Sequence, residues 1–214
     1  IYKMNKEWLN QFNLVIGDEA HLFKAKSLTS ILEKMSSCKY RFGFTGTLDG
    51  TNTHKLVLEG LFGGVKHVTT TSELIEQKYL SDFKIKALIL SYPDEVKQQL
   101  KNYSYQDEID YIVTNSARNN FIKNLTLSLK GNTLLLFQFV EKHGKILNDL
   151  LNGNGKETFF VHGGIDAEER EQVRKIVENR DDTIIIASYG TFSTGINIRN
   201  LHNVIFASPS KSRI

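Results

Sequence analysis

The sequence predicts an α/β fold in which parallel sheets are flanked by helices, and three observations carry that prediction. Short apolar runs bounded by polar loops recur along the chain, helix-spaced apolar residues fall between them, and a polar stretch over residues 93–118 separates two such arrays. The arrays set the expected organisation: residues 1–86 as the C-terminal part of one domain, 87–118 as a linker with a connecting helix, and 119–214 as most of a second domain.

In the first array, Phe12-Asn-Leu-Val-Ile16 is a short apolar run that ends in Gly17-Asp18-Glu19-Ala20-His21, the pattern of a buried strand delivering polar groups at its carboxyl end. Leu28, Ile31, Leu32 and Met35 follow at i, i+3, i+4 and i+7, which places them on one face of a helix. Tyr40, Phe42 and Phe44 alternate with Arg41 and Gly43 as in a strand, and that run stops at Thr45-Gly46-Thr47. Beyond Gly60, Gly63 and Gly64 the pattern loosens into a Thr-rich strand candidate and a short helix around residues 72–77.

Tyr103, Tyr105 and Tyr111 are spread along a helical segment, where packing rather than base stacking is the expected role. The second array then alternates cleanly. Apolar strands at 133–139, 158–162, 183–187 and 203–207 are separated by helices carrying Ile146, Leu147, Leu150 and Leu151, then Val173, Ile176 and Val177. Asp166 followed by Glu169 reads as a capping box opening a helix over 167–179.

Composition bounds the function. Hydrophobic residues at 40% and charged residues at 24%, with only 2 Pro, are those of a globular chain with a sizeable core. The formal net charge of +3 and pI near 8.8 are compatible with a polyanionic partner and also common without one. Cys38 stands alone, which excludes an internal disulfide and gives no zinc-site spacing; a reducing, cytoplasmic compartment is expected. The apolar runs fall far short of the roughly 20 residues that span a bilayer, so no membrane partner is expected. The chain starts at Ile1 and ends just past its last apolar strand, so it is expected to be an internal piece of a longer one.

The residues that could carry chemistry lie at strand ends, where parallel sheets present ligand-binding groups. Of the adjacent carboxylates Asp18 and Glu19, one could hold Mg²⁺ through water and the other could accept a proton from a water attacking a γ-phosphate. Taken alone, the tetrapeptide Asp18-Glu19-Ala20-His21 also reads as a solvated acidic turn. Its place after Leu14-Val-Ile16 and about 25 residues ahead of Thr45-Gly46-Thr47 favours the chemical reading. Lys142, His143 and Lys145 form a small basic cluster that reads either as a phosphate-backbone contact or as a solvated helix start.

With these blocks in order, the sequence resembles the superfamily 2 helicases of the DEAD/DEAH-box type. Asp18-Glu19-Ala20-His21 is similar to motif II, Phe44-Thr45-Gly46-Thr47 to motif III, Leu134-Leu-Leu-Phe-Gln138 to motif IV, and the run from Ala187 to Asn197 to motif V; Val161-His162-Gly163-Gly164 with Arg170 resembles a further conserved block. The resemblance implies two RecA-like domains, ATP and Mg²⁺ as cofactors, and an ATP-dependent helicase or translocase acting in recombination or repair on branched or single-stranded DNA, or on RNA. It makes Asp18 the Mg²⁺-associated carboxylate, Glu19 the general base and His21 a link from the nucleotide site to the rest of the motor. Thr45, Gly46 and Thr47 become coupling residues, and Ser193, Thr194, Gly195 and His162 nucleic-acid contacts. Asn197 stands where many relatives carry an acidic residue that touches the nucleotide; Asn keeps the hydrogen bonding and loses the charge.

Two expected parts are missing from the 214 residues. Gly144-Lys145-Ile146 and Gly155-Lys156-Glu157 lack both the upstream glycine and the hydroxyl of a Gly-x-x-x-x-Gly-Lys-Ser/Thr phosphate loop, and no Gln-x-x-Gly-Arg-x-x-Arg block follows motif V. The isolated chain is therefore expected to be inactive as an ATPase. The competing readings are a non-catalytic nucleic-acid-binding module on a helicase-like scaffold, a repair translocase, and the translocating subunit of a restriction enzyme. A metallohydrolase on Asp18, Glu19 and His21 has no accompanying ligand set.

Overall fold

A computed structural model describes residues 1–46, 48, 52–192 and 198–209. They form two compact units, residues 1–86 and 87–214, each built on a parallel sheet. The segment expected as a connection, 87–118, falls within the second unit.

In the first unit, helix α1 (Lys6–Leu9) starts on Asn5, whose side chain accepts from the Trp8 amide. Strand β1 (Leu14–Gly17) pairs in parallel with β2 (Tyr40–Gly43), Leu14 opposite Tyr40 and Ile16 opposite Phe42. A short turn of 3₁₀ helix (Ala20–Lys24) and α2 (Lys26–Lys34) form the crossover. Helix α3 (Asn52–Phe62) and α4 (Thr71–Glu76) follow, and α4 opens on a reciprocal capping box between Thr70 and Glu73. The core is a layer of Leu9, Leu32, Met35, Cys38 and Leu61, with Val15, Phe23 and Phe62 packed on it. Gly17 and Gly43 let the two phenyl rings close on the sheet: a Cβ at either position would meet Phe62 at 3.0 Å. The Thr-rich stretch before α4 forms no strand; its residues lack a neighbouring strand to bond to, and Thr70 serves as the cap instead.

The second unit begins with α5 (Asp94–Leu100), α6 (Tyr105–Thr114) and α7 (Ser116–Ser128). Ser104 and Asp107 make the capping box of α6, and Asn115 caps α7. Tyr111 packs on Tyr92 with ring centroids 6.0 Å apart, whereas Tyr103 and Tyr105 are exposed. The sheet then assembles from β3 (Thr133–Phe137), β4 (Thr158–Val161), β5 (Ile184–Ser188) and β6 (Asn203–Phe206), in the spatial order β4-β5-β3-β6 and parallel throughout. A single π-turn (Val140–Gly144) leads into α8 (Lys145–Leu151), α9 (Ala167–Glu178) precedes β5, and α10 (Tyr189–Phe192) follows it.

Both faces of this sheet are covered. Leu135, Phe137, Ile184 and Ile186 face Ile122 of α7 and Leu147 and Leu151 of α8, while Leu134, Leu136, Ile185 and Ala187 face Val177 of α9. Alternate side chains of one strand thus enter different cores, which explains the unbroken apolar runs in β3 and β5. The expected Asp166 capping box does not form: Asp166 takes the cap position without a side-chain bond. Glu168 and Glu169, beside the positive end of the helix dipole, supply the favourable charge there instead.

Two buried polar groups tie the unit together. Asn132 is fully buried at the amino end of the sheet. Its Oδ1 accepts from the Thr183 amide and hydroxyl, both at 2.9 Å. Its Nδ2 lies within 2.7 to 3.0 Å of the carbonyls of Val177, Arg180 and Asn200. One side chain thereby joins the end of α9, the entry to β5 and the approach to β6.

His143 does the same at the carboxyl end, and here the sequence expectation needs correction. Rather than joining an exposed basic cluster with Lys142 and Lys145, His143 is fully buried, because the π-turn rotates it inward. Asn119 Nδ2 donates to the Val113 carbonyl, which leaves Asn119 Oδ1 as acceptor for His143 Nε2–H at 3.1 Å. Nδ1 then accepts from the Ser208 hydroxyl at 2.7 Å, and Ser208 Oγ accepts from the Gln138 amide at 2.9 Å. Burial first, and then the nearby Arg118 charge, push the imidazole down to about 4. Lys142 instead pairs with Asp110 at 2.6 Å and Lys145 with Glu141 at 2.6 Å.

Replacing Asn132 by Ala orphans several buried backbone groups at once and should destabilise the second unit by about 3 kcal/mol or more, read from urea unfolding. His143 supplies a pH test. Its folded value lies below the ordinary 6.5, so the unfolded chain binds the extra proton between those values. Stability should be full above roughly pH 6.5 and fall by up to about 3 kcal/mol as pH drops toward 4. Urea midpoints across that range for the wild type and His143→Gln check this: the variant should lose that part of the slope.

Candidate functional site

The candidate site of the first unit is built at the carboxyl ends of β1 and β2. Past the last paired residues two more backbone bonds continue the ladder: the Phe44 amide donates to the Gly17 carbonyl at 2.8 Å, and the Ala20 amide donates to the Phe44 carbonyl at 2.8 Å. The second bond forces the chain to turn sharply after Asp18. Glu19 makes that turn in the left-handed region, at φ 49° and ψ 49°, a conformation costing a non-glycine residue roughly 1–2 kcal/mol. Asp18 supports it by accepting the Glu19 amide on Oδ1 at 2.8 Å.

The turn brings three polar side chains together. His21 Nδ1 lies 3.2 Å from Glu19 Oε2 and 2.8 Å from Thr45 Oγ1. The His21–Thr45 hydrogen bond joins the acidic loop after β1 to the polar loop after β2, and the Glu19 carboxylate lies beside the same ring nitrogen. Asp18 and Glu19 are exposed and open to a ligand. Asp18 has one oxygen engaged and a second available, which fits a hydrated Mg²⁺ that shares its remaining positions with water and phosphate oxygens. Among the described residues no group of three or more His, Cys, Asp and Glu side chains could enclose a metal ion.

The other expected site residues fall as follows. Gly46 is exposed, and a Cβ there would meet open space, so sterics do not require glycine. Thr47, Ser193, Thr194, Gly195 and Asn197 lie outside the described residues. His162, just past β4, is half-buried; its Nδ1 accepts from the Gly164 amide at 3.2 Å and its ring leans on Phe160, 5.3 Å between centroids. Its Nε2 therefore carries the proton. The Nε of Arg170 is buried and finds no hydrogen-bond partner among the described residues. A separate cavity of about 250 Å³ in the second unit, lined by Leu90, Tyr92, Tyr111, Arg118 and Phe121, contains none of the expected site residues.

Sequence reasoning missed the left-handed backbone of Glu19 and the Phe44 carbonyl that imposes it. Gly17 and Gly43, glycines inside strands, signal the close approach of the Phe23, Phe62 and Ala20 side chains, and no local residue marks the turn at Glu19.

Residues 116–214 match the family described as the helicase conserved C-terminal domain, and residues 2–50 match that of the type III restriction enzyme res subunit. The ATP-dependent DNA helicase uvsW of Enterobacteria phage T4 is 37% identical over 217 residues, covering 100% of this chain and 43% of that protein. The crystal structure of T4 UvsW superposes with a TM-score of 0.56 over 100% of this chain and 42% of the other. Dbp5 of S. cerevisiae, solved bound to RNA and ADP BeF3, shares the fold at 15% identity, with a TM-score of 0.51 over 92% of this chain and 44% of its own. The chain thus spans less than half the length of these relatives, and its parallel sheets flanked by helices are those of RecA-like helicase domains. Along its whole length the chain is thus similar to helicases of superfamily 2.

Proposed function

We propose that this chain is part of an ATP-dependent DNA helicase or translocase that remodels branched DNA in recombination or repair, working in the cytoplasm of its host. The observation that carries the reading is the joining of Asp18, Glu19, His21 and Thr45 at the carboxyl ends of β1 and β2. Residues 1–86 are read as the C-terminal part of the first RecA-like domain and 119–214 as most of the second, with 87–118 leading between them.

In this mechanism Asp18 would hold a hydrated Mg²⁺, which would supply neutralisation of phosphate charge. Glu19 takes the proton from the attacking water. Its left-handed backbone holds the carboxylate at the tip of the turn, with His21 Nδ1 3.2 Å from it. Because His21 also binds Thr45, a displacement of Glu19 is transmitted through the imidazole to the loop after β2. Ser193, Thr194, Gly195 and His162 are assigned to the nucleic-acid phosphates, and Asn197 to the nucleotide.

The match of residues 2–50 to the restriction-enzyme family favours one second reading, the translocating subunit of a restriction enzyme. Strand-separation assays distinguish the two, since a duplex translocase moves without unwinding.

The 214 residues alone, lacking a phosphate cradle, should show no DNA-stimulated phosphate release; turnover by the purified chain that Glu19→Gln abolishes would sink that expectation. In a longer protein containing this chain, Glu19→Gln should lower kcat by about 10²-fold or more while leaving folding intact. Thr45→Val in that protein should spare most ATP turnover and lose unwinding of a branched substrate; equal loss of both activities would remove the coupling role.

A further inference from the structure

We propose that the cavity between the start of α7 and the segment ahead of α5 binds an aromatic ring that carries a carboxylate. That chemistry belongs to a free aromatic acid and to a polypeptide ending in phenylalanine. The cavity has a volume of about 250 Å³. About 150 Å³ is enough to hold benzene, so this space takes one ring together with its carboxylate.

The walls come from three places in the second unit: Leu90 and Tyr92 ahead of α5, Tyr111 on α6, and Arg118 and Phe121 one turn apart on α7. The Tyr92 and Tyr111 rings meet at 60° with centroids 6.0 Å apart. Leu90 and Phe121 are 37% and 39% exposed, so apolar surface at this cavity is left uncovered. Aromatic walls of this kind take a further ring in offset or edge-to-face contact.

The charge comes from Arg118. The Asn115 side chain accepts its amide at 2.9 Å, and its Nη2 donates to the Ala207 carbonyl, which fixes the residue from both ends. Its Nη1 is buried and has no hydrogen-bond partner among the described residues. The ionisable groups that act on its charge are the Tyr92 and Tyr189 hydroxyls, with no carboxylate among them. A buried charge is costly unless it is paired, and a buried donor left without an acceptor loses its hydration for nothing. Arg118 therefore lacks an anion, and the cavity it lines is the space beside it that can admit one. The first turn of α7 borders the same cavity, and the positive end of its dipole adds to the attraction. Arg118 is the one charged residue in the lining. A single guanidinium suits a carboxylate, and the apolar remainder of the wall suits a ring.

Titrating the isotope-labelled full chain with N-acetyl-phenylalanine, with its amide and with inorganic phosphate tests the site. The free acid should shift the amide signals of Tyr92, Tyr111 and Arg118. The neutral amide should bind about ten-fold or more weakly, and phosphate should leave those signals in place. Arg118→Gln should remove the preference for acid over amide. Because that variant also loses the Ala207 contact, Ala117→Leu serves beside it. Ala117 is exposed and lines the cavity, so a larger side chain there should weaken the acid to a similar degree with far-UV circular dichroism unchanged. A short peptide ending in a free phenylalanine carboxylate separates the sources: tighter binding than N-acetyl-phenylalanine assigns a polypeptide terminus, weaker binding a free aromatic acid, and both support the site. Absence of shifts with the acid, equal binding of acid and amide, a preference retained by Arg118→Gln, shifts with phosphate alone, or full binding by Ala117→Leu would each overturn the proposal.

Discussion

Parallel hydrogen bonding is the constraint on which the rest of this molecule depends. Once every strand runs the same way, each must be reached by a crossover, and all carboxyl ends gather on one edge. In the first unit's sheet that edge carries Asp18 and Thr45, and in the second unit's own sheet it carries Gln138, His162 and Ser188. The ladder extends one step further past β1 and β2, through Phe44, and that step turns two loops distant in sequence into one cluster. Without the Ala20 amide bound to the Phe44 carbonyl, nothing would hold His21 within reach of both Glu19 and Thr45.

The two units meet this constraint with different completeness. In the second, β3 and β5 send alternate side chains into separate cores, and Asn132 and His143 fasten opposite ends of the sheet with buried hydrogen bonds. Such polar groups add direction to a core that apolar packing alone would leave free to slide. The first unit has one core layer and two glycines that bring phenyl rings onto the backbone, while its other face carries aromatic and aliphatic side chains into solvent.

Much of this was legible in the sequence because it depends on periodicity. The apolar alternation of Tyr40, Phe42 and Phe44 and the helix spacing of Leu28, Ile31 and Leu32 reflect local geometry, and apart from the Thr-rich strand before α4 the elements fall within a few residues of their expected bounds. What stayed hidden depends on partners distant in the chain. His143 reads as basic beside Lys142, and only the π-turn, together with Asn119 and Ser208, makes it a buried neutral group. Asp166 has the right spacing for a cap, and spacing cannot say whether the side chain turns toward the amide. The acidic pair was legible as two carboxylates at a strand end, whereas the backbone conformation of Glu19 follows from a carbonyl 25 positions later.

With the proton-accepting role proposed for Glu19, that conformation sets the unit's fold against its chemistry at a single position. The left-handed region suits glycine and asparagine far better than glutamate, and neither supplies a carboxylate. A library of this chain selected only for resistance to heat would therefore drift at position 19 toward residues that cannot accept a proton from water. Sequences that keep glutamate there would be recording selection for turnover, so the identity of that one residue would separate working motors from scaffolds that have kept only the shape.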